Sequence, residues 1–174
     1  RSSGCSASWN TLLPSTPGME AAGTVLAVGA GVTEVKVGDR VAYAGGPIGA
    51  YATERAIAAD RLVVLPAGID FTTGAAMMLQ GMTAQYLLRR TYAVKPGDTI
   101  LFHAAAGGVG QIACQWAKAL GATVIGTVGT DAKVGAAKAN GCDHVIVTAR
   151  EDIAARVNEI TDGAGVPVVY DGVG

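Results

Sequence analysis

Ala105, Gly107 and Gly110 stand at the spacing G-x-G-x-x-G, with alanine in the first place, inside the run Thr99-Ile-Leu-Phe-His-Ala-Ala-Ala-Gly-Gly-Val-Gly110. Residues this small at this spacing let a backbone turn come close to a pyrophosphate, whose charge is favoured by the free N–H groups and positive dipole end of a helix N-terminus. A Cβ at position 107 would block that approach, and Gly110 would let helix and strand pack closely. On spacing alone the pattern also fits a glycine-rich strand-to-helix turn with no ligand. Context favours the first reading: an apolar run precedes the turn, and Val109, Ile112, Ala113, Trp116, Ala117 and Leu120 follow it at helical spacing until Gly121.

The elements that would hold this turn alternate in period. Strands are expected over residues 99–104, 123–128, 144–147 and 166–171, and helices over 109–120, 131–140 and 151–161. Strand, helix, strand, helix implies parallel crossovers, hence an α/β fold with a doubly wound sheet of Rossmann type. Gly121 and Gly141 fall where helix C′ glycines belong, and Asp131 where an N-cap belongs. Upstream the pattern differs. Short β runs at 23–28, 40–44, 50–54 and 61–65, bounded by glycine, proline or aspartate, predict a small β-barrel or sandwich. Gly29-Ala-Gly31 has no third glycine and no helix after it, so it reads as a turn between strands. Residues 1–17 read as an arm in which Trp9 docks on a neighbouring surface. Residues 66–71 read as a linker, and 72–91 as two short helices broken near Gly81, with Met77, Met78 and Met82 as core filler.

Composition narrows the partner. Half of the 174 residues are hydrophobic, 16% are charged and the net charge is −1, so no basic stripe for nucleic acid and no acidic tail is indicated. A small molecule is the expected partner. Cys5, Cys114 and Cys142 share no C-x-x-C spacing, which argues against a disulfide framework or zinc knuckle and fits a reducing cytoplasm. Cys114 lies on the apolar side of its helix and reads as a buried thiol rather than a nucleophile. No apolar run reaches the ~18 residues of a membrane span. With no initiator methionine and no helix after the last strand, the chain is expected to be a fragment.

A site built for NAD usually ends its second strand with a carboxylate for the adenosine ribose. Here that strand ends Gly126-Thr-Val-Gly129 without an acid; Gly129 leaves room for a 2′-phosphate and Lys133 could offer it a positive charge. NADP(H) is therefore favoured. Two alternatives stay open: Asp131 could be a ribose ligand rather than a cap, and Lys133 reads equally as a solvated helix lysine.

Pro17-Gly-Met-Glu-Ala-Ala-Gly23, Val37-Gly-Asp-Arg-Val41, Gln80-Gly-Met-Thr-Ala84, Ala104-Ala-Ala-Gly-Gly-Val-Gly110 and Gln115-Trp-Ala-Lys-Ala-Leu-Gly-Ala122 occur in this order, and the chain resembles over its whole length the zinc-free quinone oxidoreductases of the medium-chain dehydrogenase/reductase superfamily. The resemblance implies a partial GroES-like catalytic domain over 1–80, a C-terminally incomplete Rossmann domain over 81–174, NADPH as hydride donor and a homodimer. It also implies that Ala106, Gly107, Gly108, Val109 and Gly110 cradle the pyrophosphate, Gly129 and Lys133 meet the 2′-phosphate, and Thr83 lies near the nicotinamide. Some relatives contact that phosphate with a tyrosine; here residues 144–147 lead into Thr148, a shorter hydroxyl.

Zinc-dependent members carry Gly-His-Glu, and this chain has Gly18-Met19-Glu20. A thioether is a poor zinc ligand, and no four-cysteine lobe exists, so no metal is expected. Without a Lewis acid, hydride transfer from NADPH to an electrophilic quinone is the favoured chemistry, with no nucleophilic side chain required. Tyr43 and Tyr86 are candidate proton donors, and His103 reads as structural. Two rivals remain: an enoyl or enone reductase on the same scaffold, and a non-catalytic NADPH-binding protein of crystallin type.

Overall fold

The computed structural model describes residues 15–172. The chain divides into two compact units, Arg1–Leu79 and Gln80–Gly174; the expected Trp9 contact lies outside the described residues.

In the first unit, β1 (Glu20–Thr24), β2 (Arg40–Ala44) and β3 (Val63–Val64) form an antiparallel sheet in the order β1-β2-β3. Glu20 pairs with Ala44 and Thr24 with Arg40. Two small apolar clusters support it: Val25, Val35 and Val41 in one, Ala42, Leu65 and Met78 in the other. The sequence expectation is corrected in two places. Residues 23–28 give way to an earlier strand, because β2 takes its register on Glu20–Thr24. Residues 50–54 form bends, not a strand, with Tyr51 exposed. The three-stranded sheet is the part of the expected partial barrel that the described residues form. Gly29 to Gly31 is a turn, as expected, with Gly31 at φ +81°.

The residues expected to form two short helices instead form one, α1 (Phe71–Tyr86), widening into a π-helical turn over Leu87–Thr91. Asp70 starts it: its carboxylate accepts the Thr73 N–H at 2.7 Å. Gly81 does not break it, since one glycine costs a helix only ~1 kcal/mol and alanine, methionine and glutamine around it favour helix.

The second unit is built on β4 (Thr99–Phe102), β5 (Thr123–Val128), β6 (His144–Val147) and β7 (Val169–Tyr170), all parallel, in the order β6-β5-β4-β7. The crossovers contain α2 (Gly108–Ala119), α3 (Val134–Ala139) and α4 (Ile153–Ile160). Alternation along the strands divides the core by face. Ile100, Phe102, Val124, Val128 and Val147 pack with Ala113, Cys114 and Ala117 of α2 and Ala137 of α3. Leu101, Ile125 and Ile146 pack with Val157 of α4. A parallel sheet apolar on both faces is what covering helices require.

Helix ends follow their local chemistry with one exception. Gly121 and Gly141 take left-handed φ of +85° and +92° after α2 and α3. Asp152 caps α4, accepting the Ala155 N–H at 2.7 Å. Asp131, expected to cap, does not: the residues after it form a 3-10 turn (Asp131–Lys133) before α3, and its carboxylate is taken by Arg150.

Candidate functional site

Strand order β6-β5-β4-β7 is sequence order 3-2-1-4, so the winding direction reverses between β4 and β7. Open α/β sheets bind ligands at the carboxyl ends of the strands at such a switch point. A cavity of about 450 Å³ lies there, lined by Phe102, His103 and Ala104 after β4, by Gly107 to Gly110 at the start of α2, by Tyr170, Asp171 and Gly172 at β7, and by Thr83 and Leu87.

The turn that forms its floor is tight. Ala104 sits at φ +51°, in the left-handed region that non-glycine residues rarely adopt. Its carbonyl accepts the Gly107 N–H at 2.8 Å, and the Ala105 N–H donates to Thr127 of β5 at 2.9 Å. A Cβ on Gly107 would stand 3.0 Å from the Ala104 oxygen. One on Gly110 would stand 2.5 Å from Ala104 O and 2.6 Å from Ala105 O. Gly110 is therefore needed for the turn to lie against its own helix. The backbone N–H groups of the first α2 turn lie outside the i→i−4 ladder, and no acidic residue occupies that turn. Donors, dipole and absent Cβ atoms together fit a pyrophosphate.

Of the residues expected to bind a cofactor, Thr83, Gly107, Gly108, Val109 and Gly110 line this one cavity. Ala106 packs against the α2 face of the core, and its carbonyl accepts from Gln111 at 3.3 Å. Gly129 and Lys133 lie exposed just beyond β5, at the same edge of the sheet. Tyr86 is 60% exposed and does not line the cavity. Tyr43 belongs to the first unit, where its hydroxyl accepts from Arg55 at 2.9 Å.

His103 follows β4 into the turn and lines the cavity, with Nδ1 4.0 Å from Asp171 Oδ1. Tyr170 is a wall rather than an acid. Its ring lies 5.5 Å from that of Phe102, its hydroxyl donates to the Tyr92 carbonyl at 3.3 Å, and burial with nearby Tyr92 and Asp98 pushes its pKa up to about 12. Cys114 is fully buried, and its hydrogen bond with Cys142, together with burial, pushes its thiol far above the ordinary range. It is no nucleophile.

Sequence reading missed Gly126, Asp171 and Arg150. Gly126 is forced, since a Cβ there would meet Cys142 Sγ at 2.5 Å and Ala105 Cβ at 2.7 Å. Its signal was a glycine in the middle of an apolar strand, which marks close approach. Asp171 could have been found as the first polar residue after a terminal apolar strand. Nothing local flags Arg150.

The 3-2-1-4 sheet with a glycine turn at its switch point defines a dinucleotide-binding α/β unit. Comparison with known proteins carries this further. Residues 3–94 match the family model "Alcohol dehydrogenase GroES-like domain", and residues 108–174 match "Zinc-binding dehydrogenase". A quinone oxidoreductase of Pseudomonas aeruginosa is 58% identical over 162 residues, 93% of this chain and 50% of that protein. A 2-haloacrylate reductase of a Burkholderia species is 51% identical over 163 residues, 92% of this chain and 49% of that protein. The crystal structure of Escherichia coli quinone oxidoreductase complexed with NADPH superimposes with a TM-score of 0.89 at 56% identity, covering 93% of this chain and 50% of that one. The chain belongs to the GroES-like alcohol dehydrogenase family, within the medium-chain dehydrogenase/reductase superfamily. It spans about half the length of the curated relatives it matches.

Proposed function

We propose that this chain is part of an NADPH:quinone oxidoreductase that works without zinc. The observation that carries the reading is the cavity at the β4/β7 switch point, floored by a turn that has no room for a Cβ at Gly110. The similarity to quinone oxidoreductases, one of them crystallised with NADPH, supports the cofactor and the reaction. Residues 81–174 act as the NADPH-binding domain and residues 1–80 as part of the catalytic domain. The protein is a cytoplasmic homodimer; no helix among the described residues is long and apolar enough to cross a membrane.

Bound in the cavity, NADPH would supply a hydride from its nicotinamide ring. The turn into α2, from Ala106 to Gly110, presents backbone donors to the pyrophosphate. Gly129 leaves space at the 2′ position and Lys133 brings a cation to it. Thr83 borders the nicotinamide end, and Phe102, Leu87 and Tyr170 exclude water from it. Holding donor and acceptor in register supplies most of the acceleration, so no nucleophile is needed. The proton that completes reduction comes from solvent or from a tyrosine hydroxyl, Tyr43 or Tyr86. Zinc independence rests on the donor set: Met19 offers an uncharged thioether, and the Glu20 carboxylate accepts the Leu79 N–H at 3.0 Å.

A second reading is favoured by one finding, the 51% identity to a 2-haloacrylate reductase, whose name implies an activated carbon–carbon double bond as acceptor. Turnover of the full-length protein with NADPH and either a benzoquinone or an unsaturated carbonyl compound separates the two. Quinone turnover that survives dialysis against a chelator is expected. Activity confined to the unsaturated carbonyl would overturn the quinone assignment, and tight NADPH binding without turnover on either would point to a non-catalytic, crystallin-like role.

A further inference from the structure

The segments that leave β5 and β6 bring opposite charges together at the edge of the sheet. Arg150 donates to Asp131 Oδ1 from Nη2 at 2.9 Å and from Nε at 3.3 Å. Its Nη1 lies 3.4 Å from Glu151, which is itself held by Arg156 at 3.1 Å and by the Val147 N–H at 2.9 Å. The two segments are tied at their roots, where the Thr148 N–H donates to the Val128 carbonyl at 2.9 Å. Asp131 follows Gly129 by two residues and precedes Lys133 by two.

In a sheet of this order, the residues just after the second strand meet the adenosine ribose. A carboxylate there favours two free hydroxyls, whereas an arginine accommodates a 2′-phosphate. This chain has both, bonded to each other. We propose that the Asp131–Arg150 pair sets the choice between phosphorylated and unphosphorylated cofactor, with Arg150 the 2′-phosphate ligand and Asp131 the group that restrains it. The inference rests on the dinucleotide reading above and adds to it a specificity device.

The charges explain why the pair would act in opposite directions. Asp131 alone would repel a phosphate dianion, and Arg150 offsets that charge. A guanidinium has five N–H donors. Asp131 takes two of them, so a phosphate oxygen can accept from a remaining N–H without breaking the pair. Removing the carboxylate frees both donors and leaves Glu151 as the one acid paired with Arg150. Removing the arginine leaves a bare carboxylate at the ribose, the arrangement that suits NAD(H).

The experiment uses the full-length protein and two probes of the adenosine half, 2′,5′-ADP and 5′-AMP, titrated by calorimetry beside NADPH and NADH. Arg150→Ala should weaken 2′,5′-ADP about tenfold, the size of one charge-assisted bond, and change 5′-AMP less than about twofold. Asp131→Asn should tighten 2′,5′-ADP severalfold without tightening 5′-AMP, and Arg150→Lys should recover part of the loss. Both residues are exposed, and coincident thermal unfolding of variants and wild type checks that the fold is kept. If wild type binds NADPH but Arg150→Ala shifts both probes equally, or neither, the pair does not discriminate. If wild type binds neither dinucleotide, the dinucleotide reading fails and this inference falls with it.

Discussion

Gly110→Ala tests whether the turn at the switch point is as constrained as its geometry implies. The added methyl would lie 2.5 and 2.6 Å from two carbonyl oxygens and 2.7 Å from the Ala105 carbonyl carbon. All three atoms are backbone, so no side-chain rotation relieves the contact. Overpacking of this kind costs roughly 1–3 kcal/mol, and rigid backbone neighbours put the cost at the upper end of that range. Replacing glycine by alanine returns up to ~1 kcal/mol of helix propensity, less in a first turn such as this. The net loss is about 2 kcal/mol, which lowers Tm by roughly 4–8 °C in a chain of this size. The turn has little slack to share the strain, because Ala104 already occupies a left-handed φ of +51°. Relief must come from moving the N-terminus of α2, which carries the pyrophosphate donors, so NADPH affinity should fall at least about tenfold. Gly81→Ala is the matched control. A Cβ there meets nothing within 4 Å, and the residue lies inside α1, so Tm should rise by a degree or more. Unchanged Tm and unchanged NADPH affinity for Gly110→Ala, measured by thermal unfolding and fluorescence titration, would refute the reasoning.

Two further substitutions probe charge. Lys133→Ala should weaken NADPH about tenfold and NADH much less; equal weakening in paired titrations would show that Lys133 does not read the 2′-phosphate. Asp143 is the second case. Burial raises its pKa, but Lys118 and the Val124 N–H, donating at 2.9 Å, outweigh burial and hold the carboxyl below the usual carboxylate range. A depressed folded pKa gives stability that is full above the unfolded value of ~3.9 and is lost as pH falls through the folded one. Asp143→Asn should therefore lower stability by about 1 kcal/mol at pH 7 and flatten the acid limb of a Tm-against-pH curve. A parallel curve for wild type and variant would remove this role.

The second unit was legible because its signals are local and agree. Ile100 and Phe102 face one way and Leu101 the other, as period two requires, while α2 repeats its apolar residues at helical spacing and stops at Gly121. The first unit was less legible because its strands take their places from partners. Glu20, Ala21 and Ala22 have weak strand preference, yet they pair with β2, while the more apolar Val25 bonds to Asp39 and Gly38 beyond the ladder. Residues 50–54 alternate in sequence but form bends, with the Ala50 and Tyr51 N–H groups donating to Gly18 and Pro17. Gly81 misled for the opposite reason: a helix start fixed by Asp70 and a run of good helix formers absorb one glycine.

The ribose end shows the limit most sharply, since an isolated segment defines each residue by its own neighbours. Asp131 stands at the start of a helical turn, and capping was the local reading. Its partner is 19 residues away, on a segment that reads as an ordinary strand-to-helix connection. Parallel pairing of Gly126 with Val145 and Val128 with Val147 brings the ends of β5 and β6 side by side, and only then do Asp131 and Arg150 meet. The absence of an acid at the end of β5 was thus half of the argument for a 2′-phosphate. The other half is the cation delivered by the next strand, which also places Thr148, the shorter hydroxyl, against Val128 and away from a phosphate-binding role: its Oγ1 already donates to that carbonyl at 3.4 Å. If Arg150 supplies the contact that a tyrosine gives in some relatives, cofactor preference is retained through charge rather than through a hydroxyl. It should then weaken with added salt more steeply than a neutral hydrogen bond would.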